Sequence, residues 1–426
     1  MDVIVSIFGM FSLIMVAYLL SHKRSNIRIH TVASSMLLQV LFGAFVLFSP
    51  FGVSMINGAA DAVNSVINFG GEGVKFLLGD FYNSKQFGFI FAVNVLALTV
   101  FVSSLLSVLY HLNIMNLVVK YLGGSISKLL GTGKAESLSA TANIFVGPVE
   151  APMVIRPFIP IMSKSEIFAV MTGSLASVSG STLVGYVQLG IEPKYILSAA
   201  FMTAPAGLLF AKIIYPESDP DAHKRYSVVL PSNTRASNVF EAASTGASQG
   251  LTQAIGIAAS LVAFVGLIHL LDGMIMSIGS FVGLENLSLG YILKYAFAPF
   301  AWIMGVPESE MLKAAELIGK KLAINEFVAY TDFSVIKDTF SDKTKIIISF
   351  ALCGFANFTS LAFIIGGLST IAPERKSEIS SLGLKALIAA FLANLMSGTI
   401  VGFLFSIKER SIGVSEFFTS IKDFIA

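Results

Sequence analysis

Apolar residues in this chain run in blocks of about twenty separated by short polar stretches, a pattern that predicts membrane-crossing helices rather than a soluble core. Residues 2–20 form the first block, and at roughly 1.5 Å of rise per residue such a block crosses a hydrocarbon layer of about 30 Å. Lys23, Arg24 and Arg28 follow it, with no charged leader and no small-residue cleavage site, so a retained span with its N-terminus outside is expected rather than a signal peptide. A second span starts near Thr31 and takes in 37–51; a third covers 88–109. Between them, 54–82 mixes Asp61, Glu72, Lys75 and Asp80 with apolar positions and glycines, which fits either an interfacial amphipathic helix or a re-entrant piece. Further spans are expected at 167–189, 195–214, 252–281, 346–371 and 381–405, with a shorter apolar piece at 287–304, giving eight crossings and both termini outside.

Two places break the pattern. Asn143 to Pro152 reads Asn-Ile-Phe-Val-Gly-Pro-Val-Glu-Ala-Pro, placing Glu150 and the helix-disturbing Gly147, Pro148 and Pro152 inside apolar sequence. A carboxylate at the bilayer centre costs roughly 2.5 to 3.5 kcal/mol on insertion scales, and non-helical backbone at that depth must be buried in protein or line a wet cavity. The stretch therefore predicts a re-entrant hairpin with Glu150 at its tip; a short solvated cytoplasmic turn is the alternative. Lys120, Lys128 and Lys134 put its entry on the cytoplasmic side, Arg156 and Lys164 mark its return, and Ser163 with Glu166 forms a capping-box pattern opening the next helix. The middle of that helix, Ser177 to Thr182, is polar and contains Gly180. It predicts either an unwound segment or small residues for close packing, and packing is the better fit for the stretch alone.

The second break repeats the order of the first. Residues 306–334 are apolar but interrupted around Glu326, a polar turn follows, and the next span is disturbed between Cys353 and Ser360. The first unit starts from the cytoplasm and the second from outside, as in an inverted repeat, a design that places substrate and coupling ion near the midplane. Lys313, Lys320, Lys321, Lys343 and Lys345 run against the positive-inside tendency in this reading.

Composition agrees with a membrane setting: 55% of the 426 residues are hydrophobic, 13% are charged, and mean hydropathy is +0.79. Lys and Arg total 28 against 26 for Asp and Glu, so the net charge of +2 gives no reason to expect nucleic acid, and partners should be small molecules and membrane lipid. The single Cys353 excludes an intramolecular disulfide and sits among apolar neighbours as a packing residue. His223, beside Lys224 and Arg225 in the polar linker 215–237 that also holds Arg235, reads as solvated. No cluster has metal-ligand spacing, and no nucleophile–base constellation supports an enzyme.

Three stretches resemble the concentrative nucleoside transporters, bacterial type: Ala142-Asn-Ile-Phe-Val-Gly147 with Glu150-Ala-Pro-Met-Val-Ile-Arg-Pro157, then Lys321-Leu-Ala-Ile-Asn-Glu-Phe-Val-Ala-Tyr330, then Phe350-Ala-Leu-Cys-Gly-Phe-Ala-Asn357. The resemblance covers roughly 129–405. It implies an all-α integral membrane protein with about eight transmembrane helices, two opposed re-entrant hairpins, interfacial helices, and a homotrimer in a bacterial inner membrane whose transport domain moves like an elevator. The corresponding division is scaffold helices at 1–128, a first repeat at 129–214, a cytoplasmic linker and interfacial helix at 215–250, a scaffold helix and connector at 251–305, a second repeat at 306–406 and a tail at 407–426.

Carried over residue by residue, the resemblance implies that Glu326, Asn357 and Ser360 meet the ribose hydroxyls, that Phe355 packs near the base, and that Gly147, Pro148, Val149 and Glu150 form the hairpin tip facing it. Asn143 and Ser177, with the backbone carbonyls of Val146 and Val178, would hold sodium, an all-oxygen set suited to a hard cation. No cofactor is implied beyond the coupling ion. Proton coupling through Glu150 is the alternative, and a passive channel the more distant one. Family members typically read Gly-Gln-Thr-Glu or Gly-Gln-Ser-Glu at the tip, whereas this chain reads Gly147-Pro-Val-Glu150. An amide and a hydroxyl are replaced by apolar surface, so an altered base preference is expected while the ribose half is intact.

Overall fold

The computed structural model describes residues 2–82, 87–148, 150–219, 236–281, 283–284 and 287–425. Val149 and the linker residues His223, Lys224, Arg225 and Arg235 lie outside the described residues. The described elements are all helical.

The first two predicted spans are helices α1 (Asp2–Leu19) and α2 (Ile29–Phe48). Residues 54–82, for which two readings were open, lie largely in one continuous amphipathic helix, α3 (Pro50–Leu78). Pro50 occupies its first turn, the Ser49 hydroxyl caps Gly52 N–H, and the helix runs on through Gly58, Gly70, Gly71 and Gly73 with no further proline, ending only at Gly79 with its positive φ of 57°, so nothing turns it back as a re-entrant piece would require. A π-turn (Ala92–Leu96) leads into α4 (Ala97–His111). Next comes α5 (Ile114–Leu130), an amphipathic helix where the sequence suggested only a cytoplasmic segment; it buries Met115, Val119, Gly123, Ser127 and Leu130 at helical spacing.

The first hairpin follows. Its entering arm is α6 (Lys134–Ala142), its tip turns through 143–148, and its return is a single turn, α7 (Glu150–Met153), extended by a 3₁₀ segment (Arg156–Ile161). Ser163 and Glu166 form the predicted capping box and open α8 (Lys164–Ala176). The chain then unwinds at Ser177–Ser179 before α9 (Gly180–Gln188), so the polar centre of this span is a break, not a run of small residues packed in an intact helix. The freed backbone groups have partners elsewhere: Phe355 N–H donates to Ser177 O at 3.0 Å, and Gly180 N–H to Phe145 O at 3.1 Å.

Helix α10 (Pro193–Ile214) closes the first repeat, and α11 (Val239–Phe281) runs 43 residues without interruption across residue 250. Most of α11 is left uncovered by its own chain, but its Gly246 and Gly250 press against α4. A β-carbon on Gly250 would lie 2.8 Å from Ser103 Cβ and from Thr99 O, so glycine permits the close approach typical of small-residue contacts in membranes.

The second repeat has the same order. The connector α12 (Leu289–Ile303) bends by 117° into α13 (Glu308–Ala323), the entering arm of the second hairpin, whose return arm is α14 (Glu326–Ile336). Helices α15 (Asp342–Leu352) and α16 (Phe358–Ile371) are the halves of the second interrupted span, and α17 (Lys376–Ile425) runs on from the last predicted crossing through the predicted tail. Six helical stretches among the described residues are long and apolar enough to cross a bilayer; α1 and the α15–α16 pair supply the other two predicted crossings.

The misplaced lysines of the second repeat are largely accounted for by local partners. Lys320 lies 2.7 Å from both Glu316 and Asp332, Lys345 is 3.3 Å from Asp342, and Lys321 is fully buried on uncharged acceptors. Cys353 is buried, with its thiol 3.8 Å from Ile196 O, as a packing residue should be.

Candidate functional site

The two interrupted helices cross back to back, and one side chain of α17 holds them together. Asn394 donates from Nδ2 to Ala176 O at 2.7 Å and to Cys353 O at 3.0 Å, carbonyls left unpaired where α8 and α15 stop. Its Oδ1 accepts from Lys321 Nζ at 2.6 Å, and Lys321 also donates to Ala351 O at 2.7 Å. One amide and one ammonium thus satisfy helix ends from both repeats and tie the second hairpin to them. The order of the motifs gave no sign of Asn394, which stands in an ordinary apolar span; Lys321 was visible only as a charge on the wrong side.

On the second repeat, the N-termini of α14 and α16 come together. Asn325 caps α14 by accepting Val328 N–H at 2.9 Å, and Asn357 caps α16 by accepting Ser360 N–H at 2.7 Å. Glu326, the first residue of α14, is buried, and its Oε2 accepts from Asn357 Nδ2 at 2.7 Å. A carboxylate suits this place because two helix N-termini present partial positive charge to it. Tyr186 and Phe327 pack beside it with centroids 5.0 Å apart and planes tilted by 59°, and Tyr186 meets Tyr330 at 4.4 Å. The Tyr186 hydroxyl approaches the carboxylate but forms no hydrogen bond of normal geometry.

On the first repeat, Asn143 at the end of α6 donates from Nδ2 to Ser139 O at 3.0 Å and to Ser174 Oγ at 3.4 Å, while its buried Oδ1 has no hydrogen-bond partner. Ser177 Oγ in the break donates to Asn143 O at 2.9 Å and accepts from Thr203 Oγ1 at 3.3 Å. Val146 and Val178 belong to the same tip and the same break. The orphaned amide oxygen, together with hydroxyl and carbonyl oxygens, is a donor set that fits a hard monovalent cation.

Between the repeats and α11 opens a cavity of about 560 Å³, within the range of small-molecule sites, lined by Pro148, Glu150, Glu326, Phe355 and Ser360 among others. The structure therefore brings five of the predicted substrate residues to one cavity. Asn357 stands behind Glu326, fully buried, and orients it. Gly147 lies under the Glu150 side chain, where a β-carbon would overlap the carboxylate. The sequence did not single out Gln253 of α11, Thr182 of α9, or Asn325. For Gln253 a signal existed: Thr245, Ser248, Gln249, Thr252 and Gln253 make a polar stripe at helical spacing within an apolar helix, and all five line the cavity.

An all-helical, multi-pass membrane protein with a polar-lined cavity where two hairpins, two interrupted helices and α11 meet has the design that recurs in secondary transporters. Comparison with known proteins gives the kind. The C-terminal model of the Na⁺-dependent nucleoside transporters matches residues 195–402, the N-terminal model matches 8–81, and a nucleoside-recognition gate model matches 92–192. The nucleoside permease NupC of Helicobacter pylori (strain ATCC 700392 / 26695) is 45% identical over 416 residues, covering 95% of this chain and 98% of that protein. An uncharacterized transporter of Haemophilus influenzae (strain ATCC 51907 / DSM 11121 / KW20 / Rd) is 47% identical over 419 residues, covering 97% and 100%. The solved structure of CNTnw in an inward-facing substrate-bound state superposes with a TM-score of 0.90 at 47% identity, covering 96% of this chain and 99% of that one. The chain belongs to the concentrative nucleoside transporter family. It is a nucleoside transporter, not an enzyme.

Proposed function

We propose that this transporter is a sodium-coupled symporter that accumulates ribonucleosides by elevator-like alternating access, as a homotrimer in a bacterial inner membrane. The observation that carries the coupling is the orphaned Asn143 Oδ1. It lies at the base of the same hairpin tip whose Pro148 and Glu150 line the cavity. Sodium held by Asn143, Ser177 and the carbonyls of Val146 and Val178 clamps that tip against the first break, so occupancy of the ion site favours the tip conformation that completes the nucleoside site. In this reading Glu326 accepts a hydrogen bond from a ribose hydroxyl, Ser360 adds a second polar contact, Asn357 holds the carboxylate, and Phe355 covers the base. The base preference departs from the usual family pattern because Pro148 supplies neither an N–H nor a polar side chain.

Nucleoside binding to the purified protein, titrated by calorimetry at fixed ionic strength, tests this directly. Affinity for uridine or inosine should rise as sodium replaces potassium. Equal affinity in the two salts would overturn sodium coupling.

A further inference from the structure

The cavity carries an amide that neither hairpin supplies. Gln253 projects from α11, outside both repeats, and its Oε1 accepts from Ser181 Oγ at 3.1 Å. Ser181 Oγ is in turn 3.1 Å from Ser179 Oγ, which accepts Thr182 N–H at 3.2 Å, so the hydroxyls of the first break form a chain that ends on the Gln253 oxygen. The amide nitrogen is left on the hairpin-tip side: a β-carbon on Gly147 would stand 3.4 Å from Gln253 Nε2 and would overlap the Glu150 carboxylate. An amide oxygen in that place would face the carboxylate's negative charge, whereas an amide N–H is attracted by it. The amide thus spans the first break and the hairpin tip, with Nε2 as the end nearer the tip and the cavity region where the tip meets the ligand.

The surrounding wall makes that donor consequential. Pro148, Phe327, Phe355 and Phe363 are apolar, Glu150 and Glu326 present carboxyl oxygens, and the remaining polar side chains are hydroxyls and amides. Two other amides line the wall: Asn325 caps α14 next to Glu326, on the sugar side of the proposed pose, and Gln249 stands one turn earlier on α11, whereas Gln253 bonds the first break and comes closest to the hairpin tip. A carbonyl on a base edge needs a donor, and the tip offers none at Pro148.

We propose that Gln253 is a specificity-determining residue of the nucleoside site, donating from Nε2 to a carbonyl acceptor on the base edge and positioned by Ser181. This rests on the nucleoside reading of the cavity, and it makes the preference of this transporter depend on a helix outside the two repeats.

The test compares nucleosides with analogues that lack the exocyclic carbonyl and, with it, the adjacent ring N–H: inosine against purine riboside, and uridine against its 4-deoxo analogue, the variants below separating the carbonyl's share. Uptake into proteoliposomes and binding to the purified protein are measured side by side, so a variant that binds without transporting is still read. The unmodified protein should favour the carbonyl-bearing member by about tenfold, the size of one net hydrogen bond. Gln253→Leu should bring the ratio close to one while dependence on the ribose 3′-hydroxyl is kept. Gln253→Glu, which preserves shape but turns the donor into an acceptor, should shift preference toward the amino-bearing adenosine and cytidine. Ratios unchanged in both variants would overturn the proposal, as would a ratio near one in an unmodified protein that takes up nucleosides normally. Failure of the unmodified protein to bind any nucleoside would instead remove the underlying reading of the cavity, and the proposal with it.

Discussion

Asn357 donates from Nδ2 to Glu326 Oε2 at 2.7 Å while its Oδ1 receives the Ser360 backbone N–H at the same distance. Both ends of the amide are committed, so it cannot flip, and the carboxylate it orients keeps lone pairs for another donor. A helix cap on one repeat arm is thereby the positioning element for the buried carboxylate of the hairpin.

Glu326→Gln keeps the shape of that side chain but removes the charge from its hydrogen bonds. Nucleoside binding should weaken by about 1.5 to 3 kcal/mol, roughly ten- to a hundredfold in KM, with sodium dependence kept. Uptake kinetics over a range of uridine concentrations measure it, and an unchanged KM would remove Glu326 from the sugar site.

Asn143→Ala and Ser177→Ala each remove one oxygen ligand from the candidate ion site and leave the cavity wall untouched. Each should raise the sodium concentration for half-maximal uptake severalfold without changing the ranking of nucleosides. A change in ranking with unaltered sodium dependence would place these residues with the substrate instead.

Gly147→Ala sets a β-carbon against the Glu150 side chain at a position that tolerates no bulk. The Glu150 carboxylate must move, and transport should fall at least tenfold while protein yield and thermal stability stay near those of the unmodified protein. Normal uptake by this variant would mean that the packing of Glu150 over Gly147 is dispensable.

Asn394→Leu would leave Ala176 O, Cys353 O and the Lys321 ammonium without their amide partner in a dry interior. Leaving buried polar groups unsatisfied costs about 1 to 3 kcal/mol each, and more when one is charged, so the variant should unfold at markedly lower temperature in detergent. A melting temperature within a degree or two of the unmodified protein would show that water replaces the amide.

The sequence made the spans, the two broken units and five residues of the cavity wall legible for a physical reason. A carboxylate, proline or glycine inside an apolar run is costly enough to mark where the backbone leaves the helix, and Glu150 and Glu326 did so. What it concealed depended on partners far along the chain. Whether Ser177 to Thr182 unwinds is decided by Phe355 N–H and Asn394 arriving to satisfy the freed carbonyls, and nothing local records their arrival. Gln253 likewise gained meaning only when α11 was laid against the hairpin tip. Residues 54–82 stayed ambiguous because amphipathic helices and re-entrant pieces share a composition; the glycines at 58, 70, 71 and 73 keep helical backbone and the chain turns only at Gly79, which decides between them.

The central claim is that an inward sodium gradient drives nucleoside into the compartment this protein bounds. The most direct measurement is uptake of radiolabelled uridine and inosine into proteoliposomes with equal nucleoside on both sides at the start, under a sodium gradient, a proton gradient, or neither. The account predicts accumulation above the external concentration with the sodium gradient alone, and only equilibration in the other two conditions. Accumulation driven by the proton gradient in the absence of sodium, or equilibration under every gradient, would contradict it.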